Sequence, residues 1–177
     1  MRVDRSRVAR YGRAAARWAR LLVPSRRRDG TRVYYRLASG DVAAVYRAVC
    51  ELARTHLPDA EAARAAYLHS DDLDEPVSRD ELLRRAEAGD VVVIDVRPAG
   101  EYAAGHIPGA MSIPLGELPA RLDALSPGSE IVAYCRGACC VLAPDAARLL
   151  RAHGRRARHL ADGMLEWRLD GLPVEAA

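Results

Sequence analysis

Helical and strand-like hydrophobic patterns alternate along the first part of the chain, and each predicts its own kind of element. Near the start Val8, Tyr11, Ala15, Trp18 and Leu22 recur at spacings of three and four, with Arg7, Arg10, Arg13, Arg17 and Arg20 between them. That pattern predicts one amphipathic, cationic helix. In Arg26-Arg-Arg-Asp-Gly-Thr-Arg-Val-Tyr-Tyr-Arg-Leu37 the pair Asp29-Gly30 separates two strand-like arms, the signature of a tight hairpin because glycine accepts positive φ. After Ser39-Gly40-Asp41, an N-cap candidate, Val42, Val45, Val49, Leu52 and His56 return to helical spacing. This helix should run to about Leu57, where Pro58-Asp59 restarts a second helical stretch reaching Leu68.

The second half of the chain has another character. Ser78 with Glu81 three residues on has the spacing of a capping box, and Leu82 and Leu83 give the helix that follows an inward face. Val91 to Val96 is a mostly apolar, β-branched run interrupted only by Asp95, and Ile131 to Tyr134 is a second such run. Runs of this kind are strands covered on both faces of a parallel sheet. Their alternation with helices of about ten residues predicts an α/β domain, in which ligands sit beyond the carboxyl ends of the strands. The acidic stretch from His69 to Pro76 reads as a linker, so the chain divides into 1–68, a linker 69–76, and 77–177. No internal repeat is visible.

Charge sharpens that division. Residues 1–69 carry 15 Arg against 6 acids, a net of +9, while residues 70–177 carry 12 Arg against 18 acids, a net of −6. A basic part that meets a polyanion and an acidic part that does not are the natural reading. All basic residues are Arg, and with the abundant Ala this points to a bias in the source genome that lowers the weight of Arg density alone. Four cysteines, Cys50, Cys135, Cys139 and Cys140, are too few and too clustered for a secreted disulfide framework, which favours the cytoplasm. No apolar run approaches a membrane span, and the Arg-rich start lacks the apolar core of a secretory signal; membrane partners are not expected.

The chemistry concentrates in Ile131-Val-Ala-Tyr-Cys-Arg-Gly-Ala-Cys-Cys-Val141. An apolar strand runs straight into a cysteine, a glycine-containing loop and a helical pattern. A thiol so placed faces backbone N–H groups and the positive end of a helix, and both favour thiolate over thiol. The competing reading is three half-buried structural thiols. Adjacent Cys139-Cys140 with Cys135 lacks the spacing of a zinc site, so neither a metal nor another cofactor is expected.

Cys135, together with Val91-Val-Val-Ile-Asp-Val-Arg97, Glu101-Tyr102, Gly105-His-Ile-Pro-Gly-Ala110, Asp162-Gly163, Trp167, Gly171 and Pro173, resembles the rhodanese family over roughly residues 74–177. The resemblance implies a small α/β unit that passes sulfur through a persulfide on Cys135. It implies that Cys135 attacks the outer sulfur of an anionic donor such as thiosulfate, sulfite leaves, and an acceptor thiol or cyanide discharges the persulfide. The loop Arg136, Gly137, Ala138, Cys139 and Cys140 would supply N–H donors, and Arg136 would attract the donor. A thiolate on Cys135 is then expected at neutral pH without a histidine base. Asp95, Arg97, Glu101 and His106 match residues that brace the fold around that loop.

One departure from the commonest family pattern stands out. The loop closes in Cys140 where an Arg is usual, which lowers the expected affinity for thiosulfate, and Val141 stands where an oxyanion-binding Cys-x5-Arg phosphatase loop needs Arg. A second loop cysteine is common in rhodanese domains fused to repressors, so Cys139 and Cys140 become candidate resolving thiols that would close a disulfide onto Cys135.

Residues 21–68 are similar to the end of a winged-helix domain of the arsenic-repressor (ArsR) type, whose wing grips phosphates and whose last helix pairs two subunits. The resemblance implies a homodimer through helix 41–68 and phosphate contacts from Arg26, Arg27, Arg28, Arg32 and Arg36. With only some 20 residues before the hairpin, the segment reads as a degenerate remnant with a truncated or frame-shifted start. Weak, salt-sensitive, sequence-independent DNA binding is expected. Two functions stay open: a sulfurtransferase, or a DNA-binding regulator that uses its rhodanese part as a sulfur or redox sensor.

Overall fold

The computed structural model describes residues 25–36, 38–68 and 75–176. Of these, the residues up to Glu51 form one compact unit and those from Leu52 onward another. In the first unit β1 (Ser25–Asp29) and β2 (Arg32–Arg36) pair antiparallel, with Arg28 opposite Val33 and Asp29 opposite Arg32. Gly30 at φ 60° makes the turn, a conformation that costs a side-chain-bearing residue energy. The predicted hairpin is therefore present. The cationic helix of Val8 to Leu22 lies outside the described residues.

Helix α1 (Gly40–His56) follows, and α2 (Pro58–Leu68) begins where proline restarts the helical pattern. Of the linker expected at 69–76, residues 69–74 lie outside the described residues, and the division between the two units falls inside α1. The cause is α2, which is tied into the C-terminal unit. Tyr67 Oη donates to Asp145 Oδ1 at 2.5 Å, and the Arg148 guanidinium lies 4.5 Å from the centre of the Tyr67 ring and donates to the Tyr67 carbonyl.

The C-terminal unit is an α/β fold with a parallel sheet between helices. Its strands are β3 (Val91–Asp95), β4 (Met111–Ser112), β5 (Glu130–Tyr134) and β6 (Ala157–His159), in the order β4-β3-β5-β6, all parallel. Val77 bridges Leu160 at the β6 edge. Both predicted strands are found, the first ending one residue early, at Asp95.

Alternation along the strands builds two cores. Ile94, Ile131 and Ala133 pack with Leu150 of α5 (Leu142–Ala152) on one face, and Cys135 continues that row. Val93, Val132 and Tyr134 pack with Leu82 of α3 (Arg79–Glu87) and Trp167 of α6 (Met164–Leu169) on the other. Burial on both faces is why the strands read as continuous apolar runs. Ser78 caps α3 by accepting from Glu81 N–H at 3.3 Å. The return half of the expected capping box does not form, because the Glu81 carboxylate accepts from Arg158 at 2.7 Å and Arg85 at 3.2 Å. Among the described residues no helix is long and apolar enough to cross a membrane.

Candidate active site

Cys135 sits at the carboxyl end of β5, 2 % exposed, where the chain leaves the sheet for α5. No side chain caps α5, so its first N–H groups are turned toward the loop without a competing acceptor from its own N-cap residue. The backbone N–H groups of Ala143 and Gly137 favour an anion on Cys135, as the sequence leads one to expect. They are overruled. Hydrogen bonding to the Cys140 side chain, with burial second, pushes the Cys135 thiol well above the ordinary cysteine range. Its Sγ also donates to the Cys140 carbonyl at 3.4 Å.

The direction of this shift runs against the thiolate expected on Cys135. Half-buried Cys140 is lowered to about 5, first by the hydrogen bond from Cys135, then against its own desolvation by the N–H groups of Leu142 and Arg136 and the charge of Arg136. The pair is thus biased toward a thiol on Cys135 and a thiolate on Cys140. Cys139 is exposed.

Arg136 stands beside Cys140 and is also paired with an acid outside the cavity lining. Its Nε donates to the Glu101 carboxylate at 2.9 and 3.1 Å, which ties the loop to α4 (Ala99–Ala103). Glu101 therefore braces through Arg136. The buried Asp95 carboxylate accepts from Arg97 Nε at 2.9 Å and from Tyr134 Oη at 2.7 Å, while Arg97 also donates to the Gly105 carbonyl and Tyr134 Oη accepts from Ile107 N–H. His106, 5 % exposed, stacks on Tyr102 with ring centres 3.7 Å apart. None of Asp95, Arg97, Glu101 and His106 is in the lining of the cavity beside Cys135.

That cavity, about 250 Å³, is lined by Cys135, Gly137, Cys140, Ala143, His159 and Asp162, with Arg54 and Arg64 also in its wall. A wider depression of about 690 Å³ lies among Arg151, Arg155 and Arg156 near the starts of β5 and β6 and has no thiol in its lining. Among the described residues no three His, Cys, Asp or Glu side chains are grouped to hold a metal.

Sequence reasoning did not find the clamp beneath the loop. Glu166 accepts from Gly163 N–H at 3.0 Å and from Ala138 N–H at 3.4 Å, joining the start of α6 to the active loop. Met164 and Leu165 N–H groups donate to the Cys135 and Arg136 carbonyls at 3.0 and 2.9 Å. At Gly163 a Cβ would strike the backbone of Gly137 and the Cys135 carbonyl, so only glycine permits this approach. The signal that was available was Asp162-Gly163 followed three residues on by Glu166.

Residues 78–170 match the family model described as Rhodanese-like domain. The "HTH-type transcriptional regulator Rv0324" of Mycobacterium tuberculosis is 55% identical over 149 residues, 84% of this chain and 65% of that protein. The match is longer than the stretch from 78 to the last residue, so it includes part of the hairpin and helix region. A "Sulfurtransferase" of Allochromatium vinosum is 31% identical over 93 residues, 52% of this chain and 86% of that protein. The crystal structure of the BH2092 protein from Bacillus halodurans covers 66% of this chain and 85% of its own, at 29% identity and a TM-score of 0.55.

Proposed function

Because this chain belongs to the rhodanese-like family, we propose that it carries sulfane sulfur as a persulfide on Cys135, as a sulfurtransferase. The observation that carries the reading is the position of Cys135: at the end of a central strand, on a cavity, with the Gly137 and Ala143 N–H groups beside it. Cys140 is the base. As a donor approaches, the Cys135 proton passes to the Cys140 thiolate and the freed sulfur attacks. The name of the Allochromatium relative is in keeping with this chemistry.

Cys140 also suits the role of resolving thiol, better than Cys139. After the transfer Cys140 releases the proton to solvent, its thiolate attacks the inner sulfur of the Cys135 persulfide, the Cys135–Cys140 disulfide forms, and hydrosulfide leaves with the electron pair of the broken S–S bond.

Intact-mass measurement after exposure to thiosulfate tests the reading. A gain of one sulfur that disappears in Cys135→Ser is expected. Equal gains in both forms would sink the assignment.

A second reading, a sulfur-responsive transcriptional regulator, is favoured by one observation beyond the mycobacterial relative's name. Helix α1 leaves an apolar stripe exposed. In this reading the hairpin arginines meet DNA phosphates, and α1 pairs two copies through Val45, Val49 and Leu52, which are 62%, 57% and 59% exposed on one stripe.

A further inference from the structure

Cys135 is 2 % exposed, so whatever exchanges sulfur with it arrives through the cavity of about 250 Å³ beside it. Part of the wall is the loop and the first turn of α5, with Ala143 and Pro144. Another part is foreign to the sheet and the helices that cover it: Leu68, the buried last residue of α2. The residue before it fixes that end of α2. Tyr67 Oη donates to Asp145 Oδ1 at 2.5 Å, the Arg148 guanidinium lies 4.5 Å from the centre of the Tyr67 ring and donates to the Tyr67 carbonyl, and Arg148 in turn donates to Asp145 at 3.3 Å. Asp145 follows Pro144 directly, so the turn of α5 that lines the thiol cavity also carries the anchor of α2.

We propose that α2, anchored through Tyr67, is a size filter on the Cys135 cavity, and that the thiol which discharges the sulfur is a small molecule, not a cysteine on a folded protein. Pockets for drug-sized ligands usually measure about 300–1,000 Å³. This one is smaller. A cysteine on a folded partner brings its own backbone and neighbours toward the sulfur, and the last turn of α2 stands where they would have to go; a small thiol brings only a few atoms. The proposal rests on the sulfur-carrier reading for the reaction, but not for the filter. In the discharge, the thiolate of the small molecule forms a bond to the outer sulfur of the Cys135 persulfide, the bond from that sulfur to Cys135 breaks, and its electron pair returns to the Cys135 sulfur. The acceptor departs as a persulfide.

One reactive group offered in two sizes tests this on the full chain with Cys50 and Cys139 replaced by serine, which leaves Cys135 and Cys140 as its only thiols. N-ethylmaleimide is small; the same maleimide on a branched polyethylene glycol is not. We expect the small reagent to outpace the large one. Tyr67→Phe keeps the ring beside Arg148 and loses the hydrogen bond to Asp145, so it should cut the ratio of the two rates severalfold, and at most about tenfold, the worth of one hydrogen bond to a charged group. Leu68→Ala, which shortens the wall, should cut it as well. An unchanged ratio in either variant overturns the proposal, and so does equal acceleration of both reagents, which would report a loosened loop. On the unaltered chain, persulfide loaded by thiosulfate should be discharged by free cysteine far faster than by a surface cysteine of a folded probe protein; equal discharge by both overturns the proposal. If the ratio follows α2 while thiosulfate leaves no persulfide on the unaltered chain, the sulfur-carrier reading fails and the filter stands.

Discussion

At the scale of single residues, the site is decided by where one proton resides between Cys135 and Cys140. A thiolate, not a thiol, is the nucleophile. With Cys140 lowered to about 5, the loop carries a reactive thiolate through neutral pH and loses it as pH falls through that value and the thiolate is protonated. Alkylation of the loop by iodoacetamide should therefore titrate with an apparent pKa near 5 that belongs to the pair. In Cys140→Ser the lowered group is gone and Cys135 remains, buried, so the midpoint should move to the alkaline side. A midpoint still near 5 in that variant would place the anion on Cys135 after all.

At the scale of elements, the loop after β5 is shaped by contacts from α4, α5 and α6. The Arg136–Glu101 pair holds one side and Glu166 the other. Removing the Glu166 carboxylate leaves the N–H groups of Gly163 and Ala138 without that acceptor, at a cost of about 1–3 kcal/mol for each that stays buried and unpaired. Glu166→Ala should thus lower the midpoint of chemical unfolding and slow persulfide loading, whereas Glu166→Gln, which keeps an acceptor oxygen, should retain more of both. Loading at the normal rate in Glu166→Ala would show that the clamp does not shape the loop.

At the scale of the whole molecule, the basic and acidic halves predict different partners. Phosphate contacts by hairpin arginines release counterions, so DNA binding should weaken with salt at a log-log slope of roughly −0.9 per phosphate neutralised. Substituting Arg28, which is exposed beside the Gly30 turn, should make that slope shallower by about one phosphate contact, or roughly 0.9. Titration of operator-like and scrambled duplexes at two salt concentrations reads the slope; tight binding that discriminates between the two would show base recognition by this chain. The exposed stripe on α1 makes a second prediction at this scale. Sedimentation should find a dimer that Val49→Glu converts to monomer, and a monomeric unaltered chain would remove the pairing role of the helix.

By itself the sequence determined the parallel sheet, its doubly covered strands, the hairpin turn at Gly30, the restart of helix at Pro58, and Cys135 as the residue at the strand end. All of these follow from short-range periodicity and from the conformational limits of glycine and proline, which act between neighbours in the chain. Only the tertiary structure decided what the loop does chemically. Arg136 read as a donor-binding cation, and the fold pairs it with Glu101, 35 residues away, as well as with Cys140. Cys135 read as a thiolate because the loop N–H groups favour one, and only the fold brings Cys140 close enough to push it the other way. Arg54 and Arg64 carried no signal for the site at all, since their helices pattern as packing elements and the cavity they line is closed by residues from opposite ends of the C-terminal unit. Electrostatics and close packing depend on distances through space, and those distances exist only once the chain has folded.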